Sequence, residues 1–275
     1  MAFLHSINFQ SFFVSSQVIT GLIQVAIASA LVVITVVLSY FSRVSLGKET
    51  TVSMIRGFVQ IVVVGIILVI IMHTTIILGY VALACMIVFA AILSKRRARG
   101  LPGAMHISLI AISVGSGLTV LVMALTGVIP PNITTMIPVG SMIIAASMRT
   151  NSLAFNRFRA EIEAHTGQIE AGLALGAPPS LVIERYVTST VHASIIPAVD
   201  TLRSLGIVFI PGLASGMLLA GANPIYAAEY QFATIAMLFA ASTLTGLIAG
   251  LMLRSTIFSS MEQLTLRPQA KMQMQ

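Results

Sequence analysis

Charged residues are what this sequence most clearly lacks. Asp, Glu, Lys and Arg make up 8% of the 275 residues, while hydrophobic residues make up 57% and the mean hydropathy is +1.00. A soluble domain carries about 25% charged residues, so this chain cannot cover a surface that faces water on all sides. The composition therefore excludes a soluble protein and predicts an all-α integral membrane protein.

Motifs for catalysis and for nucleic-acid binding are also missing. The five histidines show no HExxH or similar ligand spacing, and the single cysteine, Cys85, cannot form an internal disulfide. Gly47-Lys48 lacks the earlier glycine and the following hydroxyl residue of a phosphate loop, so we expect no ATPase core in this chain. Basic residues interleaved with aromatics are absent, which argues against a nucleic-acid partner. We expect neither a cofactor on this chain nor enzymatic activity.

Long apolar stretches are what the sequence has instead. A membrane span needs about 20 mostly apolar residues. Seven stretches approach that length, at roughly 17–41, 56–72, 75–93, 106–126, 135–150, 196–221 and 227–252. We predict a polytopic protein of about seven transmembrane helices, with one transmembrane domain over residues 1–260 and a tail over 261–275.

The breaks between these stretches alternate in charge. Residues 1–10, 73–75 and 127–134 contain no Lys or Arg, and 221–229 contain only Glu229. The other breaks are basic: they hold Arg43, Lys48 and Arg56; the run 94–100; Arg149, Arg157, Arg159 and Arg185; and Arg254, Arg267 and Lys271. Because basic loops stay in the cytoplasm, we predict an outer N-terminus and a cytoplasmic C-terminus and tail.

The sixth stretch is too long for a simple span. A helix over residues 192–221 would extend about 45 Å, beyond a bilayer core of about 30 Å. It must begin outside the membrane or break within it, and Pro197 and Pro211-Gly212 are natural break points. Asp200 and Arg203 share a helix face and could pair. They lie either within the bilayer, where ionisable residues are functional, or at its cytoplasmic border.

The segment EAHTGQIEAGLALGAPPS, residues 163–180, interrupts the apolar pattern. Good helix formers run from Phe155 to about Leu175, Gly176 fits a helix end, and Pro178-Pro179 starts the next helix. We predict a cytoplasmic helix, turn and helix over about 153–190, here called the elbow. The small, partly apolar residues at its tip suit a knob that docks into a groove on another protein.

At this point the chain resembles the FetB (YbbM) family of ATP-binding-cassette (ABC) permeases. That family includes bacterial proteins assigned to iron export and plant aluminium-tolerance permeases. Glu170-Ala-Gly-x-x-x-Gly176 looks like the family's EAA-x-x-x-G element, the coupling helix that fits into the ATPase subunit. The further matching positions are Arg56-x-x-x-Gln60, Met136-Ile-Pro138, Met142, Met148, Leu173-Ala-Leu-Gly-Ala177, Val199-Asp200, Gly206, Pro211-Gly212, Gly216, Gly221 and Tyr230-Gln231.

The resemblance, which covers about residues 20–260, implies a permease subunit of an ABC exporter for iron or another metal ion. It implies a separate ATPase subunit that holds ATP and Mg, a second copy of the chain, and, in a bacterium, the plasma (inner) membrane. The implied ATPase-coupling residues are Glu170, Ala171, Gly172, Leu173, Leu175, Gly176 and Ala177. The candidate substrate path comprises Asp200, Arg203, Met142, Met148, Pro211 and Gly212.

The chain departs from the family at several positions that could line the path. Ala145-Ala146 replaces Gly-Asn, Arg149 stands where a neutral residue is usual, and Phe209 and Ala214 replace Ser and Met. The substrate is therefore more open than the transport class, and it could instead be a nucleotide-sugar such as UDP-glucose, which is linked to the plant members. A stand-alone secondary transporter and an intramembrane enzyme remain as alternatives of other classes. The 15 methionines could form a soft-metal path, or simply fill gaps between helices.

Overall fold

The structure is a computed structural model that describes residues 16–41, 47–72, 76–98, 100–128, 130, 132–258 and 264. Within these residues the protein is all-α, as predicted, and the only extended pairings are two isolated bridges, Leu205 with Phe209 and Phe258 with Leu264. Residues 1–15, Arg43, Arg99 and, apart from Leu264, the predicted tail lie outside the described residues.

The described part of the chain forms nine α-helices and one π-helical turn. The helices are α1 Ser16–Phe41, α2 Gly47–Met72, α3 Ile76–Arg97, α4 Ala104–Ile112, α5 Leu118–Thr126, α6 Ile133–Ala174, α7 Pro179–Ser204, α8 Gly212–Leu219 and α9 Pro224–Thr256. The π-helical turn, Ser113–Gly117, joins α4 to α5, so these two act as one apolar segment.

Local sequence signals set the ends of the longest helices. Asn132 caps α6, because its Oδ1 accepts a hydrogen bond from the backbone N–H of Thr135 at 3.0 Å. Asn223 caps α9 in the same way, through the N–H of Ile225 at 2.9 Å, and Pro224 takes the first helical position, where its missing N–H costs nothing.

Contacts divide the chain into two compact units, Met1–Ile70 and Ile71–Gln275. The first holds α1 and most of α2. The second holds α3 to α9 and its core lies between α4, α6, α7 and α9, where Ile107, Phe155, Ile183 and Leu253 are fully buried or nearly so. The single domain over 1–260 stays a prediction.

Five described segments are long and apolar enough to cross a membrane. They are Val18–Phe41, Thr50–Ile67, Ile76–Arg97, Ala104–Thr126 and Pro224–Thr256. These correspond to five of the seven predicted stretches. The other two, 135–150 and 196–221, have a different form in the structure, so the count of seven and the orientation stay predictions.

The 135–150 stretch is the beginning of α6 rather than a separate helix. From Ile133 to the kink at His165, α6 extends about 48 Å, well beyond a bilayer core of about 30 Å. It continues past Phe155, where the sequence predicted the start of a second helix, and then kinks at His165, whose backbone angles are non-helical and where two helical pieces meet. The apolar region and the first arm of the elbow thus belong to one kinked helix.

The 196–221 stretch is broken, and the break lies where Pro211-Gly212 was expected to place it. Helix α7 ends at Ser204 and α8 begins at Gly212. Pro197 causes no break, because it lies inside the continuous α7. Between the two helices, the carbonyl of Ser204 accepts hydrogen bonds from the N–H groups of Val208 and Phe209, both at 3.0 Å.

Candidate functional site

The tip of the elbow is a sharply defined turn. Gly176 has φ +82°, and its N–H donates to the carbonyl of Leu173 at 2.9 Å. The N–H of Ala177 donates to the carbonyl of Gly172 at 3.1 Å. These two bonds form a Schellman motif, which satisfies the free carbonyls at the end of α6. The predicted helix stop at Gly176 thus has a definite geometry.

The two arms of the elbow pack closely behind this turn. Ile162 and Ile169 of α6 and Ile183 of α7 are fully buried. A Cβ added to Gly172 would lie 3.2 Å from a methyl carbon of Val182, so this glycine lets the arms approach each other. The turn is therefore held by a core of its own.

A polar and aromatic group joins the same two arms. The ring centroids of His165 and Tyr186 lie 4.9 Å apart. The guanidinium of Arg185 lies 4.5 Å from the centre of the Tyr186 ring and donates to the side-chain oxygen of Gln168. Further from the tip, the Ser189 hydroxyl donates to a carboxylate oxygen of Glu161 at 2.9 Å. These contacts make the elbow a rigid unit.

The outer surface of the tip is apolar and uncovered. Leu175 is 89% exposed and Leu181 is 61% exposed. Of the predicted coupling residues, Glu170, Ala171, Leu175 and Gly176 are exposed, whereas Gly172, Leu173 and Ala177 are partly buried. Four of the seven lie in the last part of α6 and three in the turn that follows it, and their coupling role stays a prediction.

The start of α8 depends on a side chain of α9. The Oε1 atom of Gln231 accepts a hydrogen bond from the backbone N–H of Ala214 at 3.2 Å. Ala214 is the third residue of α8, and its N–H has no partner within the helix. Gln231, itself 3% exposed, therefore fixes the helix that follows the break. Tyr230-Gln231 is among the positions that resemble the family, but nothing in the sequence predicted that Gln231 caps α8.

A cavity of about 260 Å³ lies between α6, α7 and α9. Ala146, Arg149, Thr150 and Leu153 line it from α6; Ser194, Pro197, Ala198 and Thr201 line it from α7; Ile235, Leu238, Phe239 and Ser242 line it from α9. The lining thus combines an apolar wall with four hydroxyl groups and one guanidinium.

The predicted path residues do not meet in this cavity. Met148 packs against the buried cluster of Leu83 and Ile144, and Met142 is 37% exposed. Asp200 and Arg203 are exposed on α7 and form no salt bridge with each other. Pro211 is buried at the start of α8, and Gly212 is its first residue. The substrate role of these residues stays a prediction.

The cavity residues were missed as a set. Arg149 and Ala146 were named among the departures from the family that could line the path, but Arg149 was also placed in the basic breaks that set the orientation, and neither was grouped with the other cavity residues. Thr150, Ser194 and Ser242 carry no sequence signal, since hydroxyl residues are common in membrane helices. Among the described residues, no group of three or more His, Cys, Asp or Glu side chains could hold a metal ion.

The fold and the site together define a polytopic α-helical membrane protein with a cavity among its helices and a rigid elbow beyond them. The chain belongs to the Uncharacterised protein family UPF0014, whose profile matches residues 22–258. This family of membrane permeases agrees with the predicted resemblance, and the chain is an integral membrane protein, of the inner membrane in a bacterium.

Named relatives cover nearly the whole chain. The Probable iron export permease protein FetB of Escherichia coli (strain K12) is 30% identical over 240 residues, which is 87% of this chain and 93% of that protein. Protein ALUMINUM SENSITIVE 3 of Arabidopsis thaliana is 28% identical over 89% of this chain and 90% of its own length. The UPF0014 membrane protein STAR2 of Oryza sativa subsp. japonica is 27% identical, over 90% and 87%. No solved structure matches the chain.

Proposed function

We propose that this chain is the transmembrane subunit of an ATP-binding-cassette exporter, driven by a separate ATPase that docks on the elbow. The observation that carries the proposal is the exposed tip, where Leu175 is 89% exposed on a rigid turn. An apolar group held rigidly in water favours a covering partner, because burying it stabilises the complex. Burying a leucine side chain contributes about 1.5–3 kcal/mol.

The elbow has the mechanical connection that such a partner needs. Helix α6 carries both Arg149 at the cavity and the last turn before Gly176. Helix α7 starts at Pro179, directly after the tip, and carries Ser194 and Thr201 at the same cavity. Because the same two helices form the elbow and the cavity, a displacement of the tip would move two walls of the cavity.

Charge supports a cytoplasmic position for the elbow. The amide of Asn151 donates to the Ser94 hydroxyl at 2.8 Å, and Ser94 directly precedes the basic end of α3, Lys95-Arg96-Arg97. The part of α6 beyond Asn151 therefore continues on the side of these basic residues. By the positive-inside rule that side is the cytoplasm, where ATP and Mg are available to a partner ATPase.

For the cargo we propose iron or another metal, and for the assembly two copies of the chain with two ATPase subunits. The relative from Escherichia coli is named for probable iron export, and a plant relative is named for aluminium sensitivity. These names support a cargo linked to metals.

Docking on the elbow can be tested by co-expressing the chain with candidate ABC ATPase subunits from its source and measuring co-purification. Leu175→Glu places a charge at the centre of the proposed contact, and we expect at least about a tenfold loss of bound ATPase and of stimulated ATP hydrolysis. Asn156→Glu is the matched control, because it adds the same charge to an exposed position of α6 far from the tip. Full binding and stimulation with Leu175→Glu would show that the elbow is not the docking site.

A further inference from the structure

We propose that the cavity between α6, α7 and α9 binds a small oxyanion, with Arg149 as its charged partner. Only the identification of this ligand as the cargo rests on the proposed transport function. The binding itself follows from the residues that line the cavity.

Arg149, an exposed residue of α6, lines the cavity and gives it a positive charge. No Asp or Glu is among the lining residues, and Arg149 forms no salt bridge with a carboxylate in the part of the chain that the structure describes. A guanidinium stays protonated and offers five N–H donors in a planar fork that matches carboxylate and phosphate groups. An anionic ligand could therefore pair with this guanidinium without displacing a carboxylate of the protein.

Two hydroxyl groups add hydrogen-bond donors beside this charge. Thr150 is 5% exposed and Ser242 is 2% exposed, and neither hydroxyl forms a hydrogen bond with another described group. Among the described residues, neither oxygen is one of the fully buried side-chain atoms that lack a partner, so both hydroxyls are open to the cavity and able to donate. Both line the cavity, so a bound oxyanion could accept from both.

The other two hydroxyls of the lining are already engaged. Ser194 donates to the carbonyl of Val191 and Thr201 donates to the carbonyl of Pro197, each at 2.8 Å. Their donors are thus used within α7. The donors available for an anion are the Arg149 guanidinium from α6 and the hydroxyls of Thr150 and Ser242, which come from α6 and α9.

The remaining lining suits a small organic anion. The large apolar residues of the lining are Leu153, Ile235, Leu238 and Phe239. Arg149 is the one charged residue in the lining. A volume of about 260 Å³ is many times the roughly 10–15 Å³ that one water molecule needs. There is room for a carboxylate or phosphate group together with a short organic body.

This charge pattern also restricts how a metal could enter the cavity. A bare cation would meet the guanidinium of Arg149, and like charges repel each other. A metal bound in an anionic complex would instead present ligand oxyanions to Arg149. An anionic metal complex would therefore explain how a protein with a basic cavity could have relatives that are named for metals.

The test is calorimetric binding of citrate and of pyrophosphate to the purified full-length chain, in neutral detergent at low salt and without ATPase. We expect at least one of the two anions to bind, and Arg149→Gln to weaken that binding at least about tenfold. Arg157→Gln, the same change on an exposed residue of α6 outside the cavity, should leave it unchanged. Arg149→Lys, which keeps the charge, separates loss of the site from misfolding by retaining part of the affinity.

A second arm distinguishes a soluble anion from a lipid headgroup. The chain is placed in nanodiscs of phosphatidylcholine with or without phosphatidylglycerol. If the headgroup occupies the cavity, phosphatidylglycerol abolishes anion binding and co-purifies with the natural chain more than with Arg149→Gln. A soluble ligand gives the same affinity in both lipids.

The proposal is overturned if neither anion nor phosphatidylglycerol binding depends on Arg149. It is also overturned if free Mn²⁺, added without citrate or pyrophosphate, binds the natural chain more tightly than Arg149→Gln. Since no ATPase is present, these outcomes are independent of the docking test on Leu175.

Discussion

At the residue scale, glycines decide where this chain can turn and where its helices can touch. Gly176 has φ +82° at the tip of the elbow, a conformation that a side chain disfavours. Gly115 is needed for another reason, since a Cβ there would lie 2.0 Å from the hydroxyl oxygen of Thr245. The same residue type thus serves turn geometry at one place and close packing at another.

Gly176→Ala tests the turn. We expect the free energy of unfolding to fall by about 1–2 kcal/mol, because the new Cβ strains a left-handed backbone. The measurement is thermal or denaturant unfolding of the purified chain in detergent. Gly167→Ala is the control: Gly167 is helical, with no atom within 4 Å of an added Cβ, so it should be neutral or stabilising by up to about 1 kcal/mol. Equal effects of the two changes would contradict the assigned geometry.

At the element scale, the segment from α4 to α5 depends on its π-helical turn, Ser113–Gly117. This turn packs against α9, where an added Cβ on Gly115 would also lie 3.0 Å from the carbonyl oxygen of Ala241. Backbone atoms cannot move aside as a flexible side chain can, so the contact constrains both elements. After the break between α7 and α8, α9 also fixes the start of α8, here through a hydrogen bond to the amide oxygen of Gln231.

Gly115→Ala tests this contact. Overpacking a tight interface costs about 1–3 kcal/mol, and we expect the thermal midpoint in detergent to fall accordingly. Gly117→Ala lies in the same π-helical turn, but nothing lies within 4 Å of its added Cβ, so its midpoint should stay unchanged or rise. If Gly115→Ala is as stable as Gly117→Ala, the turn does not pack against α9 as described.

At the scale of the whole molecule, the predicted orientation places the elbow and the start of α9 on opposite sides of the membrane. Helix α9 starts after Asn223, in a break with no basic residue, whereas the elbow carries Arg185 and lies beyond the basic end of α3. Both Leu175 and Asn223 are exposed, so both positions are open to chemical labelling.

Labelling of single cysteines tests this orientation. Cys85, the one cysteine of the sequence, is first replaced by Ser. In that background we expect a membrane-impermeant maleimide to label Asn223→Cys in intact cells and Leu175→Cys only in inside-out vesicles, because the basic breaks stay in the cytoplasm. Labelling of both positions from the same side would rule out the predicted topology.

Much of the fold was predictable because hydropathy has a large, local signature. Five of the apolar stretches correspond to described segments able to cross a membrane, and the stop at Gly176 was expected from Gly-Ala-Pro-Pro. The continuity of α6 was not predicted. Its polar residues after Asn151 read as a separate element, although a polar helix can continue once it leaves the apolar region.

The sequence by itself determined the class of protein, its main apolar segments and the position of the elbow, since each depends on residues close together along the chain. Only the tertiary structure decided that Arg149, Thr150 and Ser242 line one cavity and that Gln231 fixes the start of α8. These groups lie on helices far apart in sequence, and hydroxyl and amide side chains show no periodic pattern. The role of each group depends on how the helices pack, because packing decides which polar groups face one another and which lack a partner.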